Sequence, residues 1–118
     1  MRKKKEYKAI ENGIEYLVVE SYGYYYLNKY HSERNYDETY IKFIINFDKM
    51  KEEIYLMNNM DHNIYGPSFI RYLGNNLIAQ SYALYGKHFN NYEDWLKENT
   101  KLSRKLKLKQ LMLFLNPS

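Results

Sequence analysis

The stretch His62–Lys87, HNIYGPSFIRYLGNNLIAQSYALYGK, constrains the fold more than any other part of the chain. It reads strand, turn, strand, turn. Proline cannot donate to a sheet ladder, so Gly66-Pro67 marks a strand start or an edge. Ser68–Leu73 follows as strand, Gly74-Asn75-Asn76 as turn, Leu77–Tyr85 as the returning strand, and Gly86-Lys87 closes the unit.

The same punctuation recurs upstream. Asn12-Gly13 lies between β-prone flanks and is a strong short-range hairpin signal, because both residues accept the positive φ of a type I′ turn. Tyr7–Glu11 is expected to pair with Ile14–Glu20, and 21–27 to continue as strand. The polar segment 28–38 reads as a loop. Thr39–Phe47 and Glu52–Met57 are the next strands, separated by a turn at 46–49, and Asn58–Asp61 is a further turn. Tyr40-Ile41-Lys42-Phe43 overlays on Phe69-Ile70-Arg71-Tyr72, and His31 overlays on His62 in corresponding turns. Loose spacing of this kind fits hairpins separated by loop insertions.

Residues 57–70, MNNMDHNIYGPSFI, followed by Tyr82–Lys87, resemble the degenerate hairpin repeats of many bacterial, phage and large-virus proteins, relatives of MORN-type repeats. The resemblance covers about residues 24–98. It departs from the pattern at Lys29, which lacks the preceding Gly, and at Tyr36-Asp37-Glu38, which replaces Gly-Pro-Ala. It implies a twisted sheet of stacked two-stranded units and a scaffold or partner-binding habit, with no common activity.

From Asn91 the period changes. Asn91 is a good N-cap, and Glu93 and Asp94 suit the positive end of a helix dipole. Trp95, Asn99, Leu102, Leu106 and Leu113 fall on one helical stripe, with Tyr92, Leu96 and Phe114 beside it, which predicts one helix over about 92–115. Thr100 is able to cap a second helix, and the Leu-Lys-Leu-Lys alternation at 106–109 admits a strand instead. The run Leu111–Leu115 must bury itself against the sheet, a second copy or a partner.

The expected fold is therefore α+β and mainly β: an antiparallel meander of five to seven strands in repeated hairpins, closed by a C-terminal α-helix. One domain spans 1–118, with a basic tail at 1–5, hairpin repeats over 6–89 and a helical cap over 91–115.

Charge is unevenly spread. The net +4 divides into +4 from Arg2–Lys5, −5 from residues 6–96 and +5 from Lys97 onward. A nucleic-acid reader usually carries its basic stripe on a folded face, so this distribution weakens that role. No cysteine is present, which excludes disulfides, thiolate metal sites and a Cys nucleophile. No apolar run suits a membrane span and no secretory signal is evident, so a cytoplasmic location in a bacterial cell, a phage-infected one included, is expected. His31 and His62 read as turn histidines whose rings bond nearby backbone, and His88, which follows a turn, reads as structural. No carboxylate or histidine spacing suggests a metal, so no catalytic residue, metal or cofactor is expected and the chain is read as non-enzymatic.

Fifteen tyrosines leave two readings of the sheet surface. Tyrosine rings cover a thin sheet, and they also make good protein-binding surfaces. The expected function is protein interaction through Tyr24, Tyr26, Phe69, Arg71, Tyr72, Tyr82 and Tyr85, with Leu111 and Phe114 able to join two copies through the helix. The expected partner is a larger protein. Heavy use of Lys, Asn, Ile and Tyr is the style of AT-rich genomes, which makes an anti-CRISPR-like inhibitor of a host defence nuclease, bound to its nucleic acid, one candidate role. The alternative is single-stranded nucleic-acid or RNA binding through tyrosines with Arg2, Lys3, Lys4, Lys5, Arg104, Lys105, Lys107 and Lys109. A self-assembling repeat protein is the third reading.

Overall fold

The computed structural model describes residues 3–22 and 38–115, and within them the side chains of 4–22 and 38–108. Among these residues eight strands form one open sheet: β1 (Lys3–Glu11), β2 (Ile14–Tyr22), β3 (Tyr40–Phe47), β4 (Met50–Met57), β5 (Met60–Asp61), β6 (Phe69–Leu73), β7 (Asn76–Leu84) and β8 (Lys87–Phe89). Among the described residues one helix, α1 (Tyr92–Leu115), follows. The spatial order is β1-β2-β3-β4-β6-β7-β8, with the short β5 pairing onto β4. The sheet is mainly antiparallel, as the alternation of strand and turn predicts.

Turn chemistry explains the hairpins. Asn12 (φ 52°) and Gly13 (φ 79°) occupy a two-residue turn with the hand of the flanking twist, and Asn58 (48°) with Asn59 (63°) does the same. The third such pair is Tyr85 (50°) and Gly86 (83°), so Tyr85 belongs to the turn rather than to the end of β7. That pair starts the extra strand β8, and Asn58-Asn59 starts β5. These two short strands raise the count above the expected five to seven.

Two further expectations are corrected. β2 and β3 are parallel, from Leu17 opposite Ile41 to Tyr22 opposite Asn46, so the sheet is not an unbroken meander. Parallel neighbours need a crossover of a dozen or more residues, and residues 23–39 supply that length. Within the basic tail expected at 1–5, Lys3, Lys4 and Lys5 are strand residues, paired with Tyr22, Ser21 and Glu20. Lysine on an edge strand is a common means of discouraging indiscriminate pairing, so the charge reads as a tail although the backbone is ordered in the ladder.

Alternation sorts the side chains onto two faces. One face is aliphatic, with Val19, Ile41, Phe43, Ile45, Ile54 and Leu56 packed together. The other joins Tyr16, Val18, Ile44 and Tyr55. β3 and β4 are central and carry the fully buried Ile41, Ile45 and Leu56. Across the register, Phe69 shares the aliphatic face with Ile54, whereas Tyr40 lies on the face of Met57 and Tyr55. The positions overlaid in sequence as Tyr40 and Phe69 thus point to opposite sides of the sheet.

Candidate interaction site

α1 begins as its sequence predicts. The Asn91 side-chain oxygen accepts the Asp94 N–H at 2.9 Å, which caps the first turn. Asn63 organises the loop beneath it, accepting the Tyr65 N–H at 2.9 Å and donating to the Pro67 carbonyl at 2.9 Å. The freed carbonyls of that loop receive the helix: Trp95 Nε1 donates to Asn63 O at 3.2 Å and Asn99 Nδ2 to Ile64 O at 2.7 Å. The Trp95 ring is 4% exposed and lies 5.0 Å from Tyr82 and 5.6 Å from Tyr92, centroid to centroid.

That anchor uses only the first two turns of a helix of 24 residues, about 36 Å long. Beyond Asn99 the stripe that carries Trp95 continues as Leu102 and Leu106, and Leu106 is 48% exposed. Thr100, Lys101, Ser103, Arg104, Lys105, Lys107 and Leu108 are exposed as well. Among the described residues the helix packs at one end of the sheet, on its last two strands. It docks on β7, β8 and the 63–64 loop, and its apolar stripe runs on past them.

The sequence-selected residues part company here. Phe69 packs against the aliphatic core. Tyr82 meets the Tyr92 ring edge-on and the Trp95 ring at a tilt of 41°. Arg71 lies 5.4 Å over the Phe69 ring and donates through Nε (2.8 Å) and Nη2 (2.7 Å) to Glu52, a carboxylate only 4% exposed. Tyr72 is half-buried, opposite Lys51. Tyr85 is half-exposed on the His62 ring, 4.3 Å away, and its N–H donates to His62 Nδ1 at 2.9 Å. His62 thus bonds backbone, as a turn histidine should. Tyr24, Tyr26, His31 and Arg2 lie outside the described residues. Leu111, Phe114 and Lys109 lie on α1, but their side chains are outside them. Lys4 and Lys5 are on β1; Arg104, Lys105 and Lys107 are on α1.

The ionisable network that sequence reasoning missed lies on the tyrosine face. Lys42 Nζ reaches Glu11 at 3.0 Å and Glu53 at 3.5 Å, and the Tyr55 hydroxyl donates to Glu11 at 2.7 Å. Burial works against the Lys42 charge, but Tyr55, Glu11 and Glu53 outweigh it and hold the ammonium above its usual range. Burial likewise opposes the Glu11 carboxylate, yet the bonds from Tyr55 and Lys42 keep it below its usual value. Burial, reinforced by Glu11, pushes the Tyr16 and Tyr55 hydroxyls up to about 12. Both stay protonated at neutral pH, Tyr55 as the donor to Glu11 and Tyr16 with its ring edge-on to those of Tyr40 and Tyr55. Its bonds tie β1, β3 and β4 together, with Tyr16 of β2 packed edge-on against Tyr55, and only the cross-strand register brings these members into contact.

No protein-family model, curated protein or solved structure matches this chain.

Among the described residues, no group of three or more His, Asp or Glu is placed to hold a metal, and no helix is long and apolar enough to cross a membrane. His88 Nε2 lies 2.9 Å from Asp61 Oδ2, a pair that braces β8 against β5. A second apolar surface escaped the sequence pattern. The register of β6 with β7 shifts between Arg71 and Tyr72, leaving Ile78 as an extra residue, and Leu73, Leu77 and Ile78 are 45–51% exposed at that hairpin tip.

Proposed function

We propose that this chain is a non-enzymatic protein-interaction module that presents the outer part of its C-terminal helix to a larger protein. The observation that carries the reading is the apolar stripe, anchored at Trp95 and Asn99 and exposed at Leu106. An amphipathic helix of this kind suits an apolar groove. Lys101, Arg104, Lys105 and Lys107 flank it, which favours a groove with an acidic rim. The aromatic sheet face contributes less, because Phe69 and Tyr82 are used in packing and Arg71 in an ion pair.

Nucleic-acid binding draws less support. The basic β1 and the basic helix sit at opposite ends of the strand order, separated by six strand spacings, or about 29 Å. One continuous stripe does not join them.

The test is affinity capture with the native chain against the Leu102→Glu/Leu106→Glu variant, after circular dichroism has shown the same fold. The native chain should recover a protein that the variant loses; a host defence nuclease, the partner suggested by genomic style, is one that this test would capture. Equal recovery by both forms overturns the reading. So does binding of RNA or single-stranded DNA that collapses between low and moderate salt while no protein is recovered.

A further inference from the structure

β1 ends the sheet, and no strand among the described residues pairs with its outer edge. The two-residue turn at Asn12-Gly13 fixes which backbone groups that edge offers. Residues flanking such a turn exchange both hydrogen bonds, so Glu11, Ala9, Tyr7 and Lys5 bond inward to β2. Counting between them, Ile10, Lys8 and Glu6 turn N–H and C=O outward.

The sequence around Tyr7 is antisymmetric in charge. Glu6 precedes it and Lys8 follows it, and Lys5 two residues before is matched by the small Ala9 two residues after. We infer that a second copy of this chain pairs with β1, strand to strand and antiparallel, about a two-fold axis at Tyr7. In that register Glu6 of each copy faces Lys8 of the other, and these outward-facing residues exchange backbone bonds. Tyr7 meets Tyr7 of the second copy at a non-hydrogen-bonded position, where opposite Cα atoms approach to about 4.5 Å and side chains meet closely. Sliding one copy to the next allowed register sets Glu6 on Glu6 or Lys8 on Lys8. Like charges directly opposite are unfavourable, so the charges that discourage indiscriminate edge pairing select one arrangement.

The groups concerned are accessible. Tyr7 is 37% and Ile10 74% exposed. Within one copy Glu6 rests on Lys4 at 3.1 Å, and Lys8 on Glu38 at 2.6 Å and Glu15 at 3.9 Å. These are exposed pairs of the kind that contribute little, so exchanging them for cross-copy pairs costs little. The contact is isologous and closes as a dimer, joining two sheets edge to edge with a helix at each outer end. This surface is independent of the helix stripe.

Because the chain has no cysteine, one substitution reads the register. Tyr7→Cys should form a disulfide-linked dimer under mild oxidation, since the expected Cα separation suits a disulfide. Glu6→Cys should link to Lys8→Cys when the two variants are mixed, at least tenfold faster than either links to itself. Sedimentation should show a native dimer, a monomer for Lys8→Glu, and a dimer restored by Glu6→Lys/Lys8→Glu, which rebuilds the pairs in reverse. A monomeric native chain at about 100 μM, a dimer that Lys8→Glu leaves intact, or Glu6→Cys linking to itself as fast as Tyr7→Cys would overturn the inference.

Discussion

Replacing Tyr82 with alanine tests whether the aromatic cluster is what holds the helix. Its ring lies 5.0 Å from Trp95 and 5.6 Å from Tyr92. Truncating a packed aromatic costs about 3 kcal/mol, through lost burial, lost ring contacts and the space left behind. The remaining ties are the rest of the Trp95 burial and the hydrogen bonds to Asn63 and Ile64, each worth about 1 kcal/mol. A loss of about 3 kcal/mol is therefore enough to release the first turns from the sheet. Trp95 is the only tryptophan, so its emission reports this event directly. In Tyr82→Ala the emission should shift to the red in native buffer while the far-ultraviolet signal of the sheet persists. In urea the fluorescence midpoint should fall below the circular-dichroism midpoint. Unshifted emission, with the two transitions still coincident, would refute the idea that these rings carry the docking.

Other perturbations separate the forces in the sheet. Arg71→Leu strands the Glu52 carboxylate, 4% exposed, and should cost about 2–3 kcal/mol, discounted because the arginine itself is partly exposed. The Glu52→Leu/Arg71→Leu double variant should recover most of that in urea unfolding. Burial lowers the His62 pKa below its usual value, so folding favours the neutral ring that accepts the Tyr85 N–H. That contribution is complete above the unfolded pKa of about 6.5 and is lost as pH falls through the lower folded value. His62→Gln should therefore lose less stability than the native chain between pH 7.5 and 5, compared by urea midpoints. Gly13→Ala meets open space but a φ of +79°, so it should cost about 1 kcal/mol from backbone strain alone.

What could be read in the sequence was local. Asn12-Gly13 and Asn91 announce a turn and a cap because their chemistry acts within three residues. What could not be read depends on distant partners. Tyr85 holds a positive φ (50°) with its N–H bonded to His62, 23 positions away, so the turn that Gly86 announces begins one residue earlier than the sequence reads. The pairing of Glu52 with Arg71 follows from the β4–β6 register, as the Glu11–Lys42–Tyr55 cluster follows from that of β1 to β4. Lys3–Lys5 mislead in another way: their charge suits a solvated tail, while their backbone meets the inner strand β2. At the helix, periodicity identified the correct stripe through Trp95, Asn99 and Leu102, but not where the sheet beneath it stops.

The parallel junction of β2 with β3 has a consequence for the order of assembly. The hairpins β1–β2, β3–β4 and β6–β7 close across two-residue turns, a step of microseconds. Leu17 and Ile41, by contrast, meet only after a separation of 24 positions has been closed, and the entropy of that closure comes before any contact rewards it. The chain is thus divided kinetically at a point where the finished sheet is continuous. The N-terminal hairpin forms early as a separate arm, and the aliphatic core is completed only when Val19 docks against the edge that β3 presents.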